Sequence, residues 1–246
     1  MSCRFTSEGL ILRVTRFRES DRFVRVLVPS GEVLELLARS VGKSVKRFGG
    51  GLEPLSLQLF DISQRRTTHV AEQAQHVNDY LALRGSLSRF YLASYGAERA
   101  LQVAPCEGLF ELMRALLDLL ASTPDDSLDL LAAKCAFDMR LLAMAGFAPQ
   151  LSDCAICGSP LPSQPLPLEP SGGGFMCGSH SEERSTLFQP GVRVLLRKLA
   201  ECELGSLPGR RLPAEHRQPV ARAVSHFLDE HLRGPLKSVK LLAAYL

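Results

Sequence analysis

The chain has 246 residues, 46% of them hydrophobic and 22% charged, and its 29 Lys and Arg against 26 Asp and Glu leave a formal charge of +3. That composition excludes a disordered or fibrous chain and fits a soluble globular protein of two or three small domains. No run approaches the roughly 18 uninterrupted apolar residues of a membrane span, and so slight an excess of base does not by itself imply a nucleic-acid partner.

Residues 1–80 read as β. Leu10, Leu12 and Val14 alternate with Ile11, Arg13 and Thr15, and Val24, Val26 and Val28 alternate with Phe23, Arg25 and Leu27. Glu32 to Ala38 follows a Pro29-Ser30-Gly31 turn, Leu55, Leu57 and Leu59 alternate with Ser56, Gln58 and Phe60, and His69 to Gln75 is a weaker fifth candidate. Five short strands broken by turn signals predict a small barrel or sandwich. The period then becomes helical: Leu83 to Leu101, Leu109 to Ala121, and a third helix capped by Ser127 and stopped by Gly146. Further helices are expected over Gly191 to Glu203, Ala214 to Leu232 and Leu236 to Tyr245. The divisions expected are 1–80, 81–150, 151–186, and 187–246 packing back on the helical bundle.

Between the helices lies a split cluster, Cys154-Ala-Ile-Cys157-Gly158 and Cys177-Gly-Ser-His180, with 19 residues from 158 to 176 between its halves. Two residues between the ligands of each pair let both turn toward one tetrahedral Zn²⁺. Cys154, Cys157, Cys177 and His180 fill all four positions, which predicts one structural zinc ion rather than a catalytic one with an open water site. The loop 160–174 is so rich in proline and glycine that no core of its own is expected, only the metal as its staple. Seven cysteines, with no secretory leader ahead of them, suit a reducing cytoplasm.

Positive charge gathers near the N-terminus. Residues 4–47 hold ten Arg and Lys against five acids, a local excess of five that exceeds that of the whole chain. Arg13, Arg16, Arg18, Arg22, Arg25, Arg39, Lys43, Lys46 and Arg47 are candidates to follow a phosphate backbone; Phe17, Phe23 and Phe48 could stack on unpaired bases, while each taken alone reads as a core aromatic. Arg193, Arg197, Lys198, Arg210 and Arg211 form a second basic group, read as a solvated helix face, with a helper surface for DNA or an acidic partner peptide as the alternative. Gly42-Lys43-Ser44 is not a P-loop, because the first glycine of that motif would fall on Leu37. His180-Ser-Glu182 stands in the wrong order for a zinc deaminase. A zinc-dependent enzyme acting on nucleic acid or nucleotides, with Glu182 as base, is the competing expectation.

The run from Glu8 through Arg13 to Arg22, the turn Gly42-Lys-Ser-Val-Lys-Arg, the passage Leu141-Leu-Ala-Met-Ala-Gly-Phe-Ala-Pro leading to Cys154-Ala-Ile-Cys157-Gly, and Leu236-Lys-Ser with the apolar end resemble, in order and spacing, the bacterial RecO family of DNA repair proteins. The resemblance covers most of the chain. It implies an α+β fold: an N-terminal five-stranded OB-fold barrel, a central and C-terminal helical bundle, and an embedded zinc module. It also implies a non-enzymatic recombination mediator, cytoplasmic and nucleoid-associated, with no membrane partner. Such proteins bind single- and double-stranded DNA, anneal complementary strands, and with RecR help RecA displace single-strand binding protein (SSB), whose acidic tail would be a further partner. Many members carry a fourth cysteine where this chain has His180.

Overall fold

The structure is a computed structural model that describes residues 3–41, 45–49, 51–65, 68–180, 186–232 and 234–246. The chain divides into two compact units, Met1–Ser122 with Leu236–Tyr245, and Thr123–Pro235 with Leu246.

In the first unit, strands β1 (Cys3–Arg16), β2 (Arg22–Leu27), β3 (Val33–Ala38), β4 (Leu57–Arg65) and β5 (Thr68–Asn78) close into a barrel in the order β1-β2-β3-β5-β4. Only β3 and β5 run parallel. These are the five strands expected, joined as the OB-fold predicts.

β1 closes the ring by pairing with β4 over Cys3 to Leu10 and with β2 over Leu10 to Arg16. It passes from one partner to the other beside Gly9, where a Cβ would stand 2.1 Å from the Val26 side chain and 3.1 Å from the Phe60 ring. An irregularity between Ile11 and Arg13 adds to the bend. Inward positions Ile11, Val24, Val26, Leu36, Phe60 and Ile62 fill the barrel. A one-turn helix, α1 (Val45–Phe48), stands in place of the basic turn that the sequence predicts and sends Phe48 into this core at 1% exposure. Phe48 is therefore no stacking face, as a flat apolar ring gains more from the barrel interior than from water.

Helices α2 (Leu87–Val103) and α3 (Leu109–Ser122) complete the unit together with α7 (Ser238–Leu242). α7 docks on α2: Glu98 accepts hydrogen bonds from the Ser238 amide at 3.1 Å and its hydroxyl at 2.7 Å, and the rings of Tyr91 and Tyr245 meet at 5.8 Å. The predicted last helix is shorter than expected and ends in a 3-10 turn, Ala243–Tyr245.

The second unit packs α4 (Leu130–Met144) against α5 (Pro190–Glu201) and α6 (Ala214–His231). Asp129, not Ser127, caps α4; its Oδ1 accepts from the amides of Leu131 and Ala132, while Ser127 lies in a 3-10 turn. A carboxylate at the positive end of the helix is the stronger partner for unpaired N–H groups. Gly146, at φ +85°, follows the end of α4 as expected.

The proline-rich loop departs from expectation. Strands β6 (Leu166–Glu169), β7 (Gly174–Phe175) and β8 (Leu187–Phe188) form a three-stranded sheet in the order β7-β6-β8. Leu166, Leu168, Phe175, Met176 and Phe188 are buried, so the segment contributes a core besides its sulfur cluster. A four-residue strand bracketed by prolines gives no period to read.

Candidate metal centre and candidate nucleic-acid interface

The four metal-ligand candidates come together. Their donor atoms all lie within 4.8 Å of one another. Sγ of Cys157 and Sγ of Cys177 are 4.0 Å apart, and His180 Nδ1 lies 3.2 Å from the Cys177 sulfur and 3.6 Å from that of Cys154. A tetrahedron with bonds of about 2.3 Å has edges of about 3.8 Å, so the arrangement fits one tetrahedral ion. Local backbone builds it: Gly158 donates to the Cys154 carbonyl at 2.9 Å and, at φ +70°, turns the chain so that the Cys154 amide reaches Ser159 O at 2.8 Å.

The surroundings of the Cys154 sulfur favour its anionic form. Backbone N–H groups of Cys157 and Cys177 aim at it and lower its pKa to about 5. The Cys177 amide reaches it at 3.4 Å. Cys177 moves the other way, its pKa raised by burial and by the neighbouring cysteine sulfur. Three soft or borderline donors and an imidazole nitrogen suit zinc.

The second basic group has mixed roles. Arg193 donates to the carbonyls of Leu161 and Pro162 and so ties α5 to the module. Arg211 donates to the Asp126 carbonyl. Arg197, Lys198 and Arg210 are exposed.

On the barrel, the register of β1 against β2 places Arg13 opposite Arg25 and Arg16 opposite Arg22. Like charges directly across a strand pair repel. Arg25 pairs with Glu35 on β3 at 3.2 Å. Arg13, Arg16, Arg18 and Arg39 are exposed. Arg47 is differently engaged: it donates to the Glu72 carbonyl at 2.7 Å and lies 3.8 Å from the Glu72 carboxylate, which binds α1 to β5. Glu72 also accepts from Ser63 at 2.6 Å and Arg65 at 3.2 Å, and that Ser63 hydroxyl with the surrounding arginines lowers its pKa. Lys43 and the side chain of Lys46 lie outside the described residues, as do Gly42, Ser44 and Glu182.

Asp21 is one of the five acids set against the basic run. Its Oδ1 accepts the Ser40 amide at 3.0 Å, while Val41 N reaches Ser20 O at 2.8 Å, so the β1–β2 turn is pinned to the end of β3. An aspartate beside a turn is the signal that was available.

Two family models cover nearly all of the chain, Recombination protein O N terminal over residues 1–80 and Recombination protein O C terminal over residues 84–240. The chain belongs to the RecO family. Among its curated relatives is the DNA repair protein RecO of Anaeromyxobacter dehalogenans (strain 2CP-C), 31% identical over 242 residues, 95% of this chain and 94% of that protein. That of Syntrophus aciditrophicus is 36% identical over 180 residues, 70% of this chain and 68% of that protein. That of Rubrobacter xylanophilus is 29% identical over 225 residues, 89% of this chain and 90% of that protein. Membership of the RecO family supports a role in DNA repair and recombination. Among the described residues no helix is long and apolar enough to cross a membrane.

Proposed function

We propose that this RecO-family chain is a DNA-binding recombination mediator. It binds single- and double-stranded DNA, anneals complementary strands, and with RecR helps load RecA on SSB-coated single strands. The observation that carries this reading is the doubled arginine register, Arg13 opposite Arg25 and Arg16 opposite Arg22. Glu35 offsets part of that like-charge crowding at Arg25, and a polyphosphate chain would offset more. Three residues apart along each strand, the two pairs point to opposite sides of the β1–β2 ribbon; Arg18 and Arg39 are exposed after the ends of β1 and β3, and Lys43 and Lys46 are candidates by sequence. Holding two strands among these arginines screens their mutual repulsion, which is the physical requirement for annealing. The acidic tail of SSB is a partner that exposed arginines of the chain can attract. The protein then works in the cytoplasm, at the nucleoid.

Cys154, Cys157, Cys177 and His180 would hold one zinc ion with a structural role. When bound, the ion supplies cross-linking of the two halves of the module and no chemistry. Four protein donors complete a tetrahedral shell, which favours this reading over a zinc-dependent enzyme, whose ion needs an open position.

The test is fluorescence anisotropy with a labelled oligonucleotide over a salt series. The logarithm of affinity should fall against the logarithm of salt by about 0.7 for each phosphate neutralised on a single strand. Arg16→Glu with Arg22→Glu should weaken binding at every salt concentration. Unchanged affinity and slope in that variant would refute the assignment of this face.

A further inference from the structure

We propose that Phe17 is the residue by which this chain tells an unpaired base from a paired one. The inference rests on the DNA-binding reading above and assigns a division of labour within that surface: arginines for phosphate, one aromatic ring for bases.

Four aromatic rings carry an arginine guanidinium over them among the described residues, those of Phe17, Phe48, Tyr95 and Phe110. Phe48, Tyr95 and Phe110 are buried, whereas Phe17 is 47% exposed. Its ring leans on Phe23 at a centroid distance of 4.6 Å, and the Arg18 guanidinium carbon stands 5.1 Å from its centre.

The turn beneath it is braced. Phe17 N donates to Asp21 O at 3.2 Å, Arg22 donates to that same carbonyl at 2.8 Å, and the Asp21 carboxylate takes the Ser40 amide at 3.0 Å. An apolar ring left half in water on so well-pinned a turn, at the end of the Arg16–Arg22 pair, has the properties of a stacking platform. Any base offers a flat face to it, in the place the Arg18 guanidinium takes over the ring in the free protein. A base inside a duplex has both faces occupied by its neighbours. Single strands therefore gain the ring and the arginines, while duplexes gain the arginines alone. Annealing would strip the product of its hold on Phe17 and favour its release.

Phe17→Ala and Phe17→Trp separate this from general electrostatics. The probes are a labelled oligothymidine, the same backbone made wholly of abasic residues, and a duplex of equal length. Phe17→Ala should lose about tenfold in affinity for oligothymidine and stay within about twofold of the parent on the abasic strand and the duplex. Equal loss on all three probes, or no loss on oligothymidine, overturns the proposal. The chain contains no tryptophan, so Phe17→Trp adds a unique fluorophore. Its emission should be quenched by oligothymidine and not by the abasic strand, and equal response to both again refutes the assignment. Failure of the parent protein to bind any probe overturns the DNA-binding reading itself, an outcome distinct from a Phe17→Ala protein that binds all three like the parent.

Discussion

The guanidinium of Arg217, on α6, meets the carboxylate of Asp129, at the start of α4, at 2.6 Å. The same carboxylate caps α4 through its other oxygen and takes the Leu212 amide at 3.0 Å. One side chain with 2% exposure thus serves four donors and holds two helices and a loop of the second unit in register.

Asp129→Ala should destabilise this unit by about 3 kcal/mol, as it removes a cap and strands a half-buried guanidinium and an amide. Asp129→Asn keeps an acceptor for the cap and should cost less. Urea unfolding followed by circular dichroism ranks the two, and equal midpoints for both variants and the parent would contradict this account.

At the β1 crossing the available space is smaller than a methyl group. Gly9→Ala should cost about 1–3 kcal/mol, because the new Cβ meets a β-branched side chain, that of Val26, inside a filled barrel. Val26→Ala, destabilising alone, should recover part of the loss when combined with it. A thermal-melting double-mutant cycle measures that coupling, and strictly additive losses would count against the contact.

Acid should loosen the α1 attachment. The Glu72 carboxyl titrates below its ordinary range because Ser63 donates to it and Arg65, Arg4 and Arg47 surround it. Its folded-state pKa is the lower one, so its contribution is full above the ordinary carboxylate pKa of 4.5 and is lost as pH falls through the depressed value. Glu72→Gln should flatten the acid limb of the stability–pH profile, and an unaltered limb would show that other groups dominate.

Removal of the metal should act on structure. One zinc per chain is expected by elemental analysis, with three sulfurs and one nitrogen in the X-ray absorption shell. Cys157→Ser should lose the ion and expose the module to proteolysis. A water oxygen in the shell of the parent protein would instead favour the enzymatic reading.

Arginines of the barrel should separate into two groups. Arg13→Gln and Arg16→Gln should each lower the single-strand salt slope by about 0.7 with little effect on folding. Arg47→Gln should chiefly reduce stability, because its guanidinium serves the Glu72 carbonyl. A full phosphate-sized drop in slope for Arg47→Gln would place it on the DNA surface instead.

The barrel and the main helices were legible because alternation and helical spacing are long-range patterns. Val24, Val26 and the leucines of β3 declare their strands, and Leu109 to Leu120 declare a helix. The metal cluster was legible because ligand spacing is local chemistry. What escaped was set by contacts distant in sequence. Nothing local to Arg47 announces Glu72, and nothing before Asp129 shows that Arg217 will arrive to favour it over Ser127 as the cap. Phe17 and Phe48 look alike in sequence; α1 sends one inward, and the Asp21 turn leaves the other in water. The sheet of β6, β7 and β8 was hidden by strands too short to show a period.

The docking of α7 on α2 has a consequence for biosynthesis. The ribosome must translate residues 123–235 of the second unit before it makes Ser238 and Tyr245. Until then Glu98 lacks those two donors and Tyr91 lacks its ring partner, so the nascent first unit waits unfinished while the intervening unit emerges. Interruption of synthesis anywhere within residues 123–235 would yield a barrel with an unclosed helical layer, a substrate for chaperones and proteases.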